Sequence, residues 1–335
     1  MNTYTSLSQR TNVWAVKQLL INMQPYMHIM NLAGQNSVAL PENTNSTVSF
    51  RRYLDFPVNT TPLVEGTNSF SGAQAGNYQD MTKEDFSVSM IQYGAFTQLS
   101  DKVTLLMEDP VLQQAVERLG IQAGKVVETI GWNTLSACSQ VLYTGTATSV
   151  LTTDTVFSTG TLRSAVRVLQ SNNVEKISKM IGATPGYATN PVADAYYALI
   201  HTDQIKDLYA NAEFFPVEKY PTTGGIAQGE VGKIEQIRFL QSTLYVPALG
   251  AGASSTTVKN TAGKADVYNI VILGKDAFTT VAVKGVYAAK IQVSMDGATT
   301  ADPYNSSRTI SWKLWYAICI TNPKNLIRIV TASAL

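Results

Sequence analysis

Side chains able to do acid–base or nucleophilic chemistry are sparse in this chain. There are two histidines in 335 residues. His201 stands in LIHTD, two residues before Asp203, and a His–Asp pair at the C-terminal end of a strand can serve as a general base. The same residues also make a capping turn for a following helix, a reading that needs no catalysis. His28 sits among methionines on an N-terminal helix. Cys138 and Cys319 show no CxxC spacing and read as small buried residues with free thiols. GGIAQGEVGK, Gly224 to Lys233, resembles a phosphate loop only superficially. Position 227, where the first glycine belongs, is Ala, and Lys233 is followed by Ile234 instead of Ser or Thr. No GxSxG elbow and no HExxH helix is present. Carboxylates are scattered singly, so neither a metal nor a cofactor is indicated. Arg163 and Arg167 on one helix, followed by Lys176 and Lys179, suit a polyanion or, more simply, a solvated helix face.

With chemistry so thin, the elements themselves carry the information. Hydrophobic residues make up 45% of the chain and charged residues only 15%, well below the usual quarter. A surface so poor in charge is expected to be covered, and other copies of the chain are the simplest cover. The formal net charge is +1, with no Lys/Arg block of the kind a dedicated nucleic-acid binder carries. The N-terminus lacks the apolar run of a signal peptide, and no segment has the length of a membrane span. The sequons at Asn45, Asn59 and Asn305 are then chance matches, and synthesis in a cytoplasm follows.

Apolar residues at Val13, Val16, Leu19, Leu20, Met23 and Met27 have a helical period, with Pro25 kinking or ending the helix. The longest predicted helix runs from Asp109 to Cys138, with Asp109 as N-cap and Pro110 in the first turn. Leu112, Val116, Leu119, Ala123, Val126 and Ile130 form its apolar stripe. Some thirty residues at 1.5 Å each make a rod of roughly 45 Å. Gly120, Gly124 and Gly131 inside it each cost about 1 kcal/mol relative to Ala, which is tolerable only where something packs very closely. STGTLRSAVRVLQSNNV is a shorter capped helix. AYYALIHTDQIKDLYAN reads as strand, cap and helix, and DVYNIVILGKDAFTTVAV as a strand and a short helix. GKIEQIRFLQSTLYV between them reads as a strand. The tail TISWKLWYAICITNPKNLIRIVTASA is strand, turn, strand. Trp312, Leu314, Tyr316, Ile318 and Ile320 share one face of it.

Residues 57–82 cannot fold by burying their own surface. They are almost all Thr, Asn, Gly, Ser and Gln, and so long an unstructured loop is uncommon in a compact domain. Runs with strand-like alternation, TVSFRRYLDF and FSVSMIQYGAF, flank them as the legs of a long hairpin. The arm is read as reaching out of the subunit to be ordered by a neighbour. Arg51 and Arg52 point to opposite faces of its first leg, and at least one of them is expected to meet a carboxylate of an adjacent subunit. The alternative, a lid closing over the active site of a cytoplasmic α/β enzyme, requires a pocket of titratable groups that the sequence does not offer.

SFRRYLDFPVNTTPLVEG, IQYGAFTQLSD, EDPVLQQAVE, YYALIHTDQIKDL, YNIVILGKDAFTTVAVKG and SWKLWYA, in this order across nearly the whole chain, resemble the major capsid proteins of N4-like tailed bacteriophages. The resemblance implies an α+β, Hong Kong 97-type phage capsid fold. Residues 1–45 would form the N-terminal arm and 46–100 the extended loop hairpin. Residues 101–150 and 301–335 would form the peripheral domain with its spine helix, and 151–300 the axial α/β domain. By position, Ser46 to Ser100 matches the extended loop, Asp109 to Cys138 the spine helix, and Thr309 to Ala334 the chain's return into the peripheral sheet. Inter-subunit contacts are then expected at Arg51, Arg52, Leu63, Glu65 and Tyr78. Spine packing is expected through Leu112, Val116, Leu119, Val126 and Ile130. The implied function is structural and non-enzymatic: self-assembly into hexamers and pentamers of an icosahedral virion shell around double-stranded DNA, within the bacterial host cytoplasm. The chain lacks a long N-terminal helical extension, which favours a separate scaffolding protein. Portal and decoration proteins are further implied partners, and no membrane or cofactor is implied. An encapsulin compartment shell resembles the same fold and would differ in holding enzyme cargo instead of DNA.

Overall fold

The computed structural model describes residues 17–32, 37–40, 46–62, 77–100, 102–103, 111–177, 194–220, 227, 229–283, 290–294, 304 and 306–335. The chain divides into two compact units, residues 43–90 and the remainder.

The larger unit holds two large sheets and a short two-stranded ladder of β10 (Asn260–Thr261) and β11 (Lys264–Ala265). In the first, β15 (Ser307–Ile320) is the central beam. It pairs antiparallel with β4 (Ile91–Ser100) from Ser307↔Ser100 to Tyr316↔Ile91. It also pairs with β13 (Phe278–Val283) and β14 (Lys290–Ser294), and β13 in turn pairs parallel with β1 (Ser37–Leu40). Ile310, Trp312, Leu314, Tyr316 and Ile318 alternate along β15 and are all buried, as a one-sided sheet requires.

The second sheet has seven strands in the order β5 (Val141–Tyr143), β16 (Leu326–Thr331), β12 (Tyr268–Leu273), β6 (Tyr196–His201), β9 (Ile237–Ser242), β8 (Glu230–Ile234) and β7 (Phe215–Pro216). Its central strands are continuous apolar runs because both faces are covered. Ala198, Ile200, Ile270, Ile272, Ile327 and Ile329 pack on Leu162, Ala165 and Leu169 of the helix Thr159–Ser171. Tyr197, Leu199, Val271, Leu273 and Leu326 share a core with the long helix on the opposite face. Ser158 caps the Thr159–Ser171 helix by accepting from the Thr161 N–H at 3.3 Å.

Three sequence expectations are corrected by this pairing. The tail divides between the sheets: β15 stays in the five-stranded one, whereas β16 enters the seven-stranded one. The two patterns explain it, since β15 alternates while LIRIVT is apolar on both faces and needs a two-sided sheet. AFTTVAV is a strand, β13, because its β-branched residues complete a ladder with β15. GKIEQIRFLQS is two strands, β8 and β9, folded at Glu235, whose φ is 48°.

The long helix spans Val111–Ser136, a rod of about 39 Å. Asp109 and Pro110 lie outside the described residues. The buried line runs Val116, Leu119, Ala123, Val127, Trp132 and Leu135. Val116, Leu119 and Ala123 are buried in this line. Leu112, Val126 and Ile130 are only half-buried at the margin of the core. Beyond Ala123 the stripe moves on in steps of four to Val127 and Gly131, because the helix turns to face a second sheet and an overlying chain.

That overlying chain is the N-terminal segment, helical over 17–23 and His28–Leu32 with a single-turn link at Gln24–Tyr26. It crosses the helix on its glycines. A Cβ at Gly120 would stand 3.1 Å from the Leu19 carbonyl oxygen, one at Gly124 2.8 Å from that of Met23, and one at Gly131 3.0 Å from Ile29 Cδ1. Between the last two glycines sits Glu128, with no exposed surface. Its oxygens accept from the Ile29 N–H at 3.1 and 3.3 Å, from the His28 N–H, and from the Tyr245 hydroxyl at 2.6 Å. The Tyr245 ring stacks on Trp132 at 4.4 Å. One carboxylate thus ties together the long helix, the N-terminal segment and the loop after β9. Burial outweighs these donors and pushes the Glu128 carboxyl up to about 7.

Two predictions follow from this helix. Val127→Asp places an unpaired carboxylate in the core and is expected to cost several kcal/mol and make the protein insoluble. Val126→Asp, on the margin, should leave the protein soluble with a smaller fall in melting temperature. Equal melting of both variants would show that the stripe does not turn at Ala123. Second, a carboxyl with a raised native pKa favours the folded form when neutral. Its contribution is complete below the ordinary value of 4.5 and is lost as pH rises to about 7. A span of that size corresponds to about 3 kcal/mol. Hydrogen exchange of residues 17–32 should therefore quicken between pH 4.5 and 7 beyond its intrinsic pH dependence. The wild type should show this against Glu128→Gln, whose profile over that range should be flat. Parallel profiles would overturn the assignment.

Candidate assembly surfaces

Residues 43–90 form the smaller unit, a hairpin of β2 (Thr47–Tyr53) and β3 (Lys83–Ser89) paired in register from Thr47↔Ser89 to Tyr53↔Lys83. Beyond the ladder the legs stay joined by Leu54 N–H to the Thr82 carbonyl at 3.0 Å, Gln79 to the Pro57 carbonyl at 3.0 Å and Asn59 to Asn77 at 2.9 Å. Val48 and Phe50 face Phe86 and Val88 on one side, the two Phe rings stacked at 5.4 Å. All four remain half-exposed. A two-stranded hairpin is marginal in water until its apolar face is covered.

Both arginines expected to reach a neighbouring subunit have partners on this hairpin. Arg51 grips Asp85 in bidentate fashion at 2.7 and 3.1 Å, and Arg52 pairs with Glu84. Those carboxylates lie on the rungs directly opposite. The register would have shown this once the turn was placed, but the turn residues carry no signal that sets it. Asp85 is held below the usual carboxylate range by Arg51. The pairs are half-exposed and worth little individually. Tyr78 is 60% exposed and donates to Asp80. Leu63 and Glu65 lie outside the described residues. Phe56, Val58 and Met81 are exposed near the same end of the hairpin.

On the larger unit, an open groove of about 520 Å³ runs along the long helix beside β4. Val126 and Ile130, half-buried on the helix, lie along it with Tyr93 of β4. The Trp312 indole N–H donates to Gln122 at 3.1 Å in its wall.

The residues singled out for chemistry are bound into structure. Nδ1 of His201 accepts from the Asp203 N–H at 3.1 Å, so its lone pair is committed to a cap and is not free to take a proton from a substrate. Burial moves this imidazole below its ordinary value. Asp203 is held in turn by Lys259 and by the Tyr268 hydroxyl at 2.7 Å. The His28 ring lies against Gly229, where a Cβ would stand 2.6 Å from Cε1. In the loop like a phosphate cradle, Glu230 is buried and accepts from Tyr220 at 3.0 Å, from the Ala227 N–H at 3.3 Å and from Arg238 at 3.5 Å. An anion would meet that carboxylate. Cys138 is buried and Cys319 half-buried, both free, and burial raises both thiols above their ordinary range. Arg163 is shared by Glu213 and Glu235 at 2.9 and 2.6 Å, which takes it out of any polyanion surface; Lys179 lies outside the described residues. Among the described residues, no group of three or more His, Cys, Asp or Glu is placed to hold a metal ion. No helix there is long and apolar enough to cross a membrane.

The model of the family described as phage capsid protein matches residues 83–329. A major capsid protein of Pseudomonas phage KPP21 is 25% identical over 266 residues, covering 73% of this chain and 66% of that relative, so the chain spans just under two thirds of its length. Among solved structures, the capsid of Ralstonia phage GP4 superposes with a TM-score of 0.63 at 14% identity, over 89% of this chain and 86% of that one. An encapsulin complex from Synechococcus elongatus is more distant, with a TM-score of 0.51 at 8% identity over 89% and 85%. With most of its length aligned to the family model and an architecture of the Hong Kong 97 type, the chain belongs to the phage capsid protein family.

Proposed function

We propose that this chain is the major structural subunit of a tailed-phage head of the N4-like kind. Copies assemble as hexamers and pentamers into an icosahedral shell around double-stranded DNA in the host cytoplasm, with a separate scaffolding protein and a portal. The observation that carries the reading is the hairpin unit. Its stacked Phe50–Phe86 face is half-exposed, and Phe56, Val58, Tyr78 and Met81 are more than half exposed. A shell subunit covers such surface with its neighbours, whereas an enzyme lid closes over titratable groups, and the candidates His201, Asp203 and Glu230 are engaged in a cap and in buried pairs. Leu63 and Glu65, together with Arg51 and Arg52 beside their own carboxylates, belong to the surface presented to the next copy.

Replacing residues 63–80 by an Asn-Gly turn tests this directly, since such a turn matches strand twist and still closes the ladder. The shortened chain is expected to keep its circular dichroism spectrum and to lose closed particles in analytical ultracentrifugation. Particles of normal size and stability from it would sink the reading.

A further inference from the structure

We infer that Glu128 and Tyr316 form a proton-operated bolt between the long helix and β15. When the carboxyl is neutral, its O–H donates to the buried Tyr316 hydroxyl; when it is ionised, that bond is lost. The device lies within the larger unit and stands whether or not the shell reading does.

An ionised carboxylate only accepts hydrogen bonds, whereas a neutral one also carries an O–H that needs an acceptor. The groups that hold Glu128 all donate: the Ile29 and His28 N–H groups and the Tyr245 hydroxyl. They suit the ionised form and leave the proton of the neutral form without an acceptor. Among the described residues, three buried side-chain oxygens have no hydrogen-bond partner, those of Gln140, Gln241 and Tyr316. Gln140 lies past the end of the long helix. Gln241 alternates with Leu240 and so points to the far face of the seven-stranded sheet. Tyr316 is 3% exposed and shares the core of the long helix. Burial raises its phenol, and the charge of Glu128 raises it further. Its rung crosses the five-stranded sheet between Ile91 of β4 and Ala282 of β13. A bond from Glu128 therefore fastens the helix to the beam where strands grip it on both edges.

Few other groups can titrate around this joint. β4, β12 and the loop 243–249 carry no Asp, Glu, Lys, Arg or His, and their titratable side chains are Tyr93, Tyr268 and Tyr245. On β15, Lys313 alternates to the exposed face. One turn before Glu128, Lys125 stands 5.4 Å over the Tyr26 ring. The N-terminal segment brings Lys17, which is exposed, and His28, whose ring lies against Gly229 with Glu230 next along the chain. A carboxyl favoured in its neutral form is bolted below its midpoint of about 7 and released above it.

The test reads the Glu128 midpoint in the full-length chain from the infrared band of its carboxyl, with Glu128→Gln as the blank. Tyr316→Phe removes the acceptor of the neutral form. The midpoint should fall by about one pH unit, a tenfold loss of proton affinity. Tyr245→Phe removes a donor to the ionised form, so there the midpoint should rise. Both substitutions delete the same atom from a buried ring, and a merely structural effect would not separate them in sign. An unchanged or raised midpoint in Tyr316→Phe would overturn the proposal, because the hydroxyl then either ignores the proton or donates to the carboxylate. If Tyr316→Phe does not fold, hydrogen exchange of the β15 amides beside Tyr316 takes its place. Glu128→Gln carries a permanent N–H donor, so these amides should hold one rate from pH 4.5 to 7 after correction for intrinsic exchange. In the wild type they should quicken about tenfold over that range. Parallel profiles would overturn the proposal as well.

Discussion

Backbone-to-backbone approach on one face of the long helix is the constraint from which the larger unit is built. Gly120, Gly124 and Gly131 each give up about 1 kcal/mol of helix propensity relative to Ala, and in return the N-terminal segment lies within van der Waals distance of the helix itself. Gly131 faces the Ile29 side chain, whereas substituting Gly120 or Gly124 would press on the segment's backbone and push it away. Glu128 would then lose the Ile29 and His28 donors, and the ring pair Trp132–Tyr245 would lose the group that holds the Tyr245 hydroxyl. The helix joins both large sheets in one core, which takes in Trp312, Leu314 and Tyr316 of β15 together with Trp132, Leu135, Tyr197 and Leu273. The glycines decide where the third layer can come down.

Much of this was readable in the sequence where a pattern had one physical cause. The alternation of TISWKLWYAICI matches a one-sided strand, and the glycines in the long helix announced a close neighbour. The legible part ended where one pattern had two possible causes. LIRIVT and YYALI are apolar runs that fit any two-sided sheet, so their sheet membership depended on pairing and not on composition. AFTTVAV is short enough to pass for a helix until β15 supplies its partner. Glu128 carried a signal that went unused: a lone carboxylate on the buried face, between two glycines. Its partners are backbone N–H groups and a tyrosine far along the chain, and no local spacing reveals them. The Arg51–Asp85 and Arg52–Glu84 pairs needed the hairpin register, which a turn region rich in Thr, Gly and Asn does not specify.

The scarcity of chemistry in this chain has the same origin as its scarcity of charge. His201, Glu230, Arg238 and Asp203 are spent on fixing loops and caps within the seven-stranded sheet. The remaining polar surface is mostly uncharged Thr, Ser, Asn and Gln, which can be buried against another copy at lower desolvation cost than Lys or Glu. A subunit meant to be covered on several sides gains from that substitution. One that worked alone in solution would not.

The connection between hairpin and beam has a mechanical meaning. Only Met90 separates β3 from β4, and β4 runs ten rungs along β15. A load delivered along β4 acts parallel to its ladder and across its hydrogen bonds. Loaded in this way the rungs share the force and must yield together, whereas a sideways pull would open them one at a time from Tyr316. The beam is itself braced on its other edge by β13 and β14. A load along β4 and β15 is thus carried through their strongest direction, as fibre carries it in a wound pressure vessel.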